Sequence, residues 1–211
     1  MLALAVGSAC KSKPTAPPPL PPSTLAAAIQ LGFAAGSFVA QGAQPLDLRK
    51  VSSFAFARTE ADLHTFMGRL QISESDAAGI VAGLLDGFAD PNPTRGGQLI
   101  SDAIGQIGTR LESSPYPELL YAFRVGYTVG HMAEAINVVT KGTPEPLHAP
   151  ALATLTAKNR ESLQTDLDQS GLQGELYDAI LATNVELRGV SDIFTLNRAC
   201  LKVQSLVAQL Q

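Results

Sequence analysis

Two stretches decide the reading: Leu25-Ala-Ala-Ala-Ile-Gln-Leu-Gly-Phe-Ala-Ala-Gly36 and Leu119-Leu-Tyr-Ala-Phe-Arg-Val-Gly-Tyr-Thr-Val-Gly130. Set one over the other at a step of 94 residues, and they align without a gap. Leu25 falls on Leu119, Ala28 on Ala122, Ile29 on Phe123 and Phe33 on Tyr127. Gly32 falls on Gly126 and Gly36 on Gly130. Glycine inside a helix costs about 1 kcal/mol relative to alanine. Two such glycines at matched places therefore predict a shared steric need, the close approach of another backbone. At a step of 100, Leu63 meets Leu163, Thr65 meets Thr165, Ile72 meets Leu172 and Ile80 meets Ile180. The loop before the sixth helix absorbs the difference. The pattern predicts an internally repeated chain.

Outward from these stretches the periodicity is helical. A first helix is predicted over 25–41 with Ser23 or Thr24 as cap, and a second from about Leu46 or later to Leu70. A third opens at Ser73-Glu-Ser-Asp76 and stops at Asp90-Pro-Asn-Pro93. A fourth spans 95–112, and a fifth starts at Pro117, suited to a first turn, and runs to about Thr140. A sixth ends near Asp168, with Gly171 at a turn; a seventh spans 172–187. In the eighth, 192–210, Ile193, Leu196, Cys200, Val203 and Val207 recur at steps of three and four. Period-two alternation is not sustained anywhere. The expected fold is all-α, with about eight helices in two similar four-helix halves packed as a bundle. The expected boundaries are 1–10 for a leader remnant, 11–22 for a spacer, 23–114 for one half and 115–211 for the other.

The 211 residues are 45% hydrophobic and 16% charged, so a core can form. The formal charge of −4 offers no basic excess to displace counterions from a phosphate backbone, so nucleic acid is not an expected partner. Two cysteines exclude a disulfide scaffold and a cysteine-based zinc site. Residues 14–46 carry no charge, and 25–43 is long enough to span a bilayer. Its match at 119–137 contains Arg124, His131 and Glu134, which favours a buried helix in both places.

The chain begins Met-Leu-Ala-Leu-Ala-Val-Gly-Ser-Ala-Cys10, followed by Lys11-Ser-Lys13 and then Pro14 to Pro22, where six of the fourteen prolines lie. Gly7-Ser-Ala-Cys10 resembles the end of a bacterial lipoprotein signal peptide. The resemblance implies a lipid on the Cys10 thiol and cleavage that leaves Cys10 at the N-terminus. The proline run favours extended polyproline II at about 3.1 Å per residue, a semi-rigid spacer of the kind a tethered domain requires. Acyl chains bind a membrane without spanning it.

Phosphate-loop, nucleophile-elbow, zinc-helix and Cys-x-x-Cys motifs do not occur in the sequence. No cofactor and no catalytic activity are expected. His131 and Glu134, three apart on a predicted helix, share a face. Imidazole and carboxylate together suit zinc or iron. They form the one candidate metal pair, and an ordinary polar pair is the competing reading. His131-x-x-Glu134 is similar to part of the Gly-x-His-x-x-Glu motif of imelysin-like periplasmic proteins, which are duplicated helical bundles; Val129 stands at its first glycine. His64, His148 and Cys200 lack evident ligand partners, and Cys200 is expected to be a buried thiol.

The expected function is that of a non-catalytic lipoprotein of the bacterial envelope. It would be held to a membrane by its lipid, facing the periplasm or the cell surface, and bind another envelope protein. A periplasmic ligand- or metal-binding protein, with its site within a bundle or between the halves, is the alternative.

Overall fold

The computed structural model describes residues 18–41, 54, 59–142, 159, 161–187 and 193–209. The fold is an all-α bundle. Among the described residues eight helices follow in chain order: α1 (Pro22–Gln41), α2 (Glu60–Arg69), α3 (Glu74–Ala89), α4 (Pro93–Glu112), α5 (Pro117–Gly142), α6 (161–169), α7 (Glu175–Glu186) and α8 (Ile193–Gln209). There is no strand among the described residues. Cys10, His148 and the cap candidates Ser191 and Asp192 lie outside them.

The starts of α1 and α7 differ from expectation by three residues each. α1 begins at Pro22, because proline lacks the N–H that a first turn leaves unpaired and has the right φ. Ser23 and Thr24 therefore lie inside the first turn, where the Thr24 amide donates to the Pro21 carbonyl at 2.9 Å. α2 as described starts at Glu60, within the expected bound of Leu46 or later. Thr59 caps it, accepting from the Asp62 amide at 3.1 Å. α7 starts at Glu175 instead of 172, because Gly171 and Gly174 both have positive φ (68° and 73°) and hold the intervening chain out of the helix.

The α1–α5 contact is the largest between any two helices. Ile29 and Phe33 of α1 lie against Gly126 and Gly130, while Phe123 and Tyr127 of α5 lie against Gly32 and Gly36. Numbers rise together on both helices, so the two run parallel. The contact is also reciprocal at the 94-residue step: what residue 29 does to 126, residue 123 does to 32. That is the geometry of an isologous twofold contact, here made within one chain. A Cβ on Gly32 would overlap the Phe123 carbonyl and lie 2.8 Å from the Tyr127 nitrogen. One on Gly126 would overlap the Ile29 carbonyl and lie 2.8 Å from the Ile29 Cα. The glycines are thus required by backbone contact. The Ser37 hydroxyl adds a buried hydrogen bond to the Gly130 carbonyl at 3.1 Å.

The remaining helices cover this pair. α3 packs on α4 and α7 on α8, while α4 also touches α5, and α8 touches α1 and α5. α4 buries Ile100, Ile104, Ile107 and Leu111; α8 buries Leu196, Cys200, Val203 and Val207. These two stripes match position for position at a step of 96. Each buried Leu, Ile or Val contributes about 1.5–3 kcal/mol relative to exposure. Gln71 (φ 60°) and Gly171 (φ 68°) end α2 and α6 in the same left-handed conformation, one hundred residues apart. α1 alone among the described helices has the length and apolar composition to cross a membrane, with a mean hydropathy of 1.5, and 78% of that window is buried inside the fold.

Candidate functional site

His131 and Glu134 both lie on α5 and both are half-buried. The imidazole stacks on Tyr127, with ring centroids 6.2 Å apart and planes at 25°. The backbone nitrogen of His131 also faces Gly36, so the residue belongs to the α1–α5 seam. At the 94-residue step its counterpart is Ser37, the residue that hydrogen-bonds across that seam. Burial raises the pKa of the neighbouring Tyr127 phenol. Among the described residues, no group of three or more His, Cys, Asp or Glu side chains is placed to hold a metal ion. His64 is half-buried on α2.

Cys200 is fully buried on α8, and burial pushes its thiol up to about 12. A protonated, enclosed thiol is a poor nucleophile and a poor metal ligand. It packs where α4 has Ile104, so its role is volume in the core.

Periodicity does not mark the polar groups inside the last four helices. Asp166 is only 8% exposed on α6, at the place where α2 has Phe66. Burial raises its pKa, and the attraction of Arg124 partly opposes the rise. Asn184 is 1% exposed on α7, where α3 has Leu84. Its amide donates to the Gln164 carbonyl oxygen at 2.6 Å, and its own Oδ1 has no partner among the described residues. Gln164 in turn donates to Asp168 at 2.9 Å, which carries the network to the surface.

A cavity of about 430 Å³ opens where α1 begins, beside the α6–α7 turn and the end of α8. Leu20, Pro22, Leu25, Leu172, Leu176 and Leu206 form its apolar wall. Gly171, Gln173, Gly174, Glu175 and Gln209 complete it. Leu25 and Leu176 are buried, Leu20, Leu172 and Leu206 are half-buried, and the polar residues are exposed at the mouth. The α6–α7 turn shapes this mouth through the two positive-φ glycines. Periodicity could not single out these leucines, since a leucine lining an open cavity and one in a filled core read alike. The one legible signal was Gly171-Leu-Gln-Gly174, a turn sequence carrying an apolar side chain.

No protein-family model, no curated protein and no solved structure matches this chain.

Proposed function

We propose that this chain is a lipid-anchored protein of the bacterial envelope with a non-catalytic, partner-binding or accessory role. The observation that carries the reading is an order of segments. Small residues end in Cys10, a proline run follows, and the last proline of that run, Pro22, is the first residue of α1. A spacer that stops where the packed body starts separates a membrane-bound N-terminus from the fold by a stiff, extended arm. The lipid, in this reading, does the anchoring, and α1 stays in the bundle against α5. Phe194 (73% exposed) and Leu201 (49% exposed) lie seven residues apart on α8, and this exposed apolar surface supports the partner-binding part of the reading.

Growth of a bacterial host on an alkyne-bearing fatty acid tests the anchor. The full chain, expressed behind its own N-terminus, should carry the label and partition with membranes. Cys10→Ala should lose both. An unlabelled wild-type protein with an intact Met1 would refute the anchor. The cavity supports the alternative reading, a ligand-binding protein of the periplasm, and the two are compatible in one molecule.

A further inference from the structure

We infer that the cavity at the start of α1 binds a single-chain aliphatic amphiphile with an uncharged head group. The inference does not rest on the lipid anchor.

It rests on the equivalent corner at the start of α5. The steps that relate the two helix sets (94 for α1 and α5, 100 for the turns and α3/α7, 96 for α4 and α8) also relate the two corners. Pro22 corresponds to Tyr116, Leu176 to Asp76 and Leu206 to Arg110. At the α5 corner the Arg110 guanidinium pairs with the Asp76 carboxylate at 3.0 Å. The Tyr116 ring packs half-buried against the core. At that corner an ion pair stands where the α1 corner has two leucines. At the α1 corner the ring and both charges are exchanged for Pro22, Leu176 and Leu206, and an opening of about 430 Å³ takes their place.

Two leucines stand where the other corner has two charged residues that satisfy each other, and an open space lies beside them. Apolar walls around an empty space forfeit the dispersion contacts of a packed core and remain open to water. An aliphatic chain entering the space restores those contacts and displaces the water. The volume lies within the range of about 300–1,000 Å³ typical of small-molecule sites.

The mouth selects the head group. Gln173 and Gln209 both donate and accept hydrogen bonds. Glu175 is the only ionisable residue among those lining the cavity. A carboxylate head would face that like charge, whereas a hydroxyl or ester head bonds to the amides without penalty.

Calorimetric titration of the purified full chain with 1-decanol and, separately, with decanoate at pH 8 tests the inference. Decanol should bind saturably at one site, and decanoate about tenfold or more weakly. The double exchange Leu176→Asp with Leu206→Arg installs the ion pair that residues 76 and 110 already form in this fold. It should abolish decanol binding while leaving helix content by circular dichroism unchanged. Leu206→Phe, which fills the space without adding charge, should also abolish binding and raise the melting temperature, so a poorly folding double variant leaves the test intact. Failure of wild type to bind decanol overturns the inference. So does undiminished decanol binding by Leu206→Phe, or decanoate binding tighter than decanol.

Discussion

Phe66, Leu70 and Leu84 in the first four helices hold the places that Asp166, Ser170 and Asn184 hold in the last four. All six are buried, and three are apolar and three polar. The skeleton around them is common to both sets: seam glycines on α1 and α5, a four-residue stripe on α4 and on α8, a left-handed residue after α2 and after α6. The comparison separates two kinds of constraint. Backbone contact and backbone conformation are matched, because a Cβ in the seam has nowhere to go. Interior polarity is not matched, because a buried hydroxyl or amide is tolerated when the backbone or a neighbour bonds to it. The Ser170 hydroxyl donates to the Leu167 carbonyl at 2.8 Å, and Thr183 to the Ala179 carbonyl at 2.9 Å. The last four helices thus carry the costlier interior, and together with the start of α1 they wall the open cavity.

The seam should break first and hardest. Gly32→Val or Gly126→Val drives a side chain into a facing carbonyl, and each should lose about 3 kcal/mol or more by urea unfolding. The two losses should be similar, since the contacts are reciprocal. Gly79→Ala and Gly105→Ala, where a Cβ meets open space, should instead gain up to about 1 kcal/mol. Equal effects at all four positions would dissolve the distinction between seam and surface glycines.

Asp166→Leu moves the last four helices toward the first and should stabilise at pH 7 by about 1–2 kcal/mol. Asp166→Asn sharpens the point through pH. Burial raises the carboxyl above its usual 3.8, so the folded state binds this proton more tightly than the unfolded state. Ionised Asp166 therefore costs stability above its folded pKa, and the cost vanishes as pH falls through that value toward 3.8. The advantage of Asp166→Asn over wild type should be greatest at neutral pH and shrink on acidification. An advantage independent of pH would show that charge burial is not its source.

Helix ends should respond next. Ser73 accepts from the Asp76 amide at 3.3 Å and caps α3, so Ser73→Ala should cost about 1 kcal/mol. α7 begins at Gly174 with no side-chain cap, so its counterpart Gln173→Ala should be close to neutral. At the shared left-handed position, Gln71→Gly should stabilise and Gly171→Gln destabilise, each by about 0.5–1 kcal/mol. Apart from the near-neutral Gln173→Ala, the smallest effect belongs to the ion pair at the α5 corner. Arg110 and Asp76 are partly exposed, so Arg110→Gln should cost no more than about 1 kcal/mol, and less in high salt.

Much of this architecture was legible in the residues. Gly32, Gly36, Gly126 and Gly130 announced a close contact because glycine is so poor a choice inside a helix for any other purpose. Leu196, Cys200, Val203 and Val207 announced the buried face of α8 by spacing alone. The step of 96 that relates this stripe to α4 was hidden, because Ile104 and Cys200 share burial and not chemistry. That α1 and α5 pack on each other, rather than each on a third helix, also lay beyond one-dimensional patterns. The cavity was hidden for a related reason. Its identity lies in Tyr116 and Arg110 at the other corner, which matter only once the two corners are superimposed. His131 and Glu134 stood out by residue type, and the structure places His131 at the seam, where stacking and backbone contact already account for its position.

The parallel pairing of α1 with α5 has a consequence for biosynthesis. The face of α1 that will meet α5 is finished some 94 residues before its partner leaves the ribosome. At about 5–20 residues per second, that strip stays uncovered for roughly 5–20 s. A nascent chain in that interval presents an uncharged, apolar rod with its mate still unmade. Final closure then waits for the second rod to arrive.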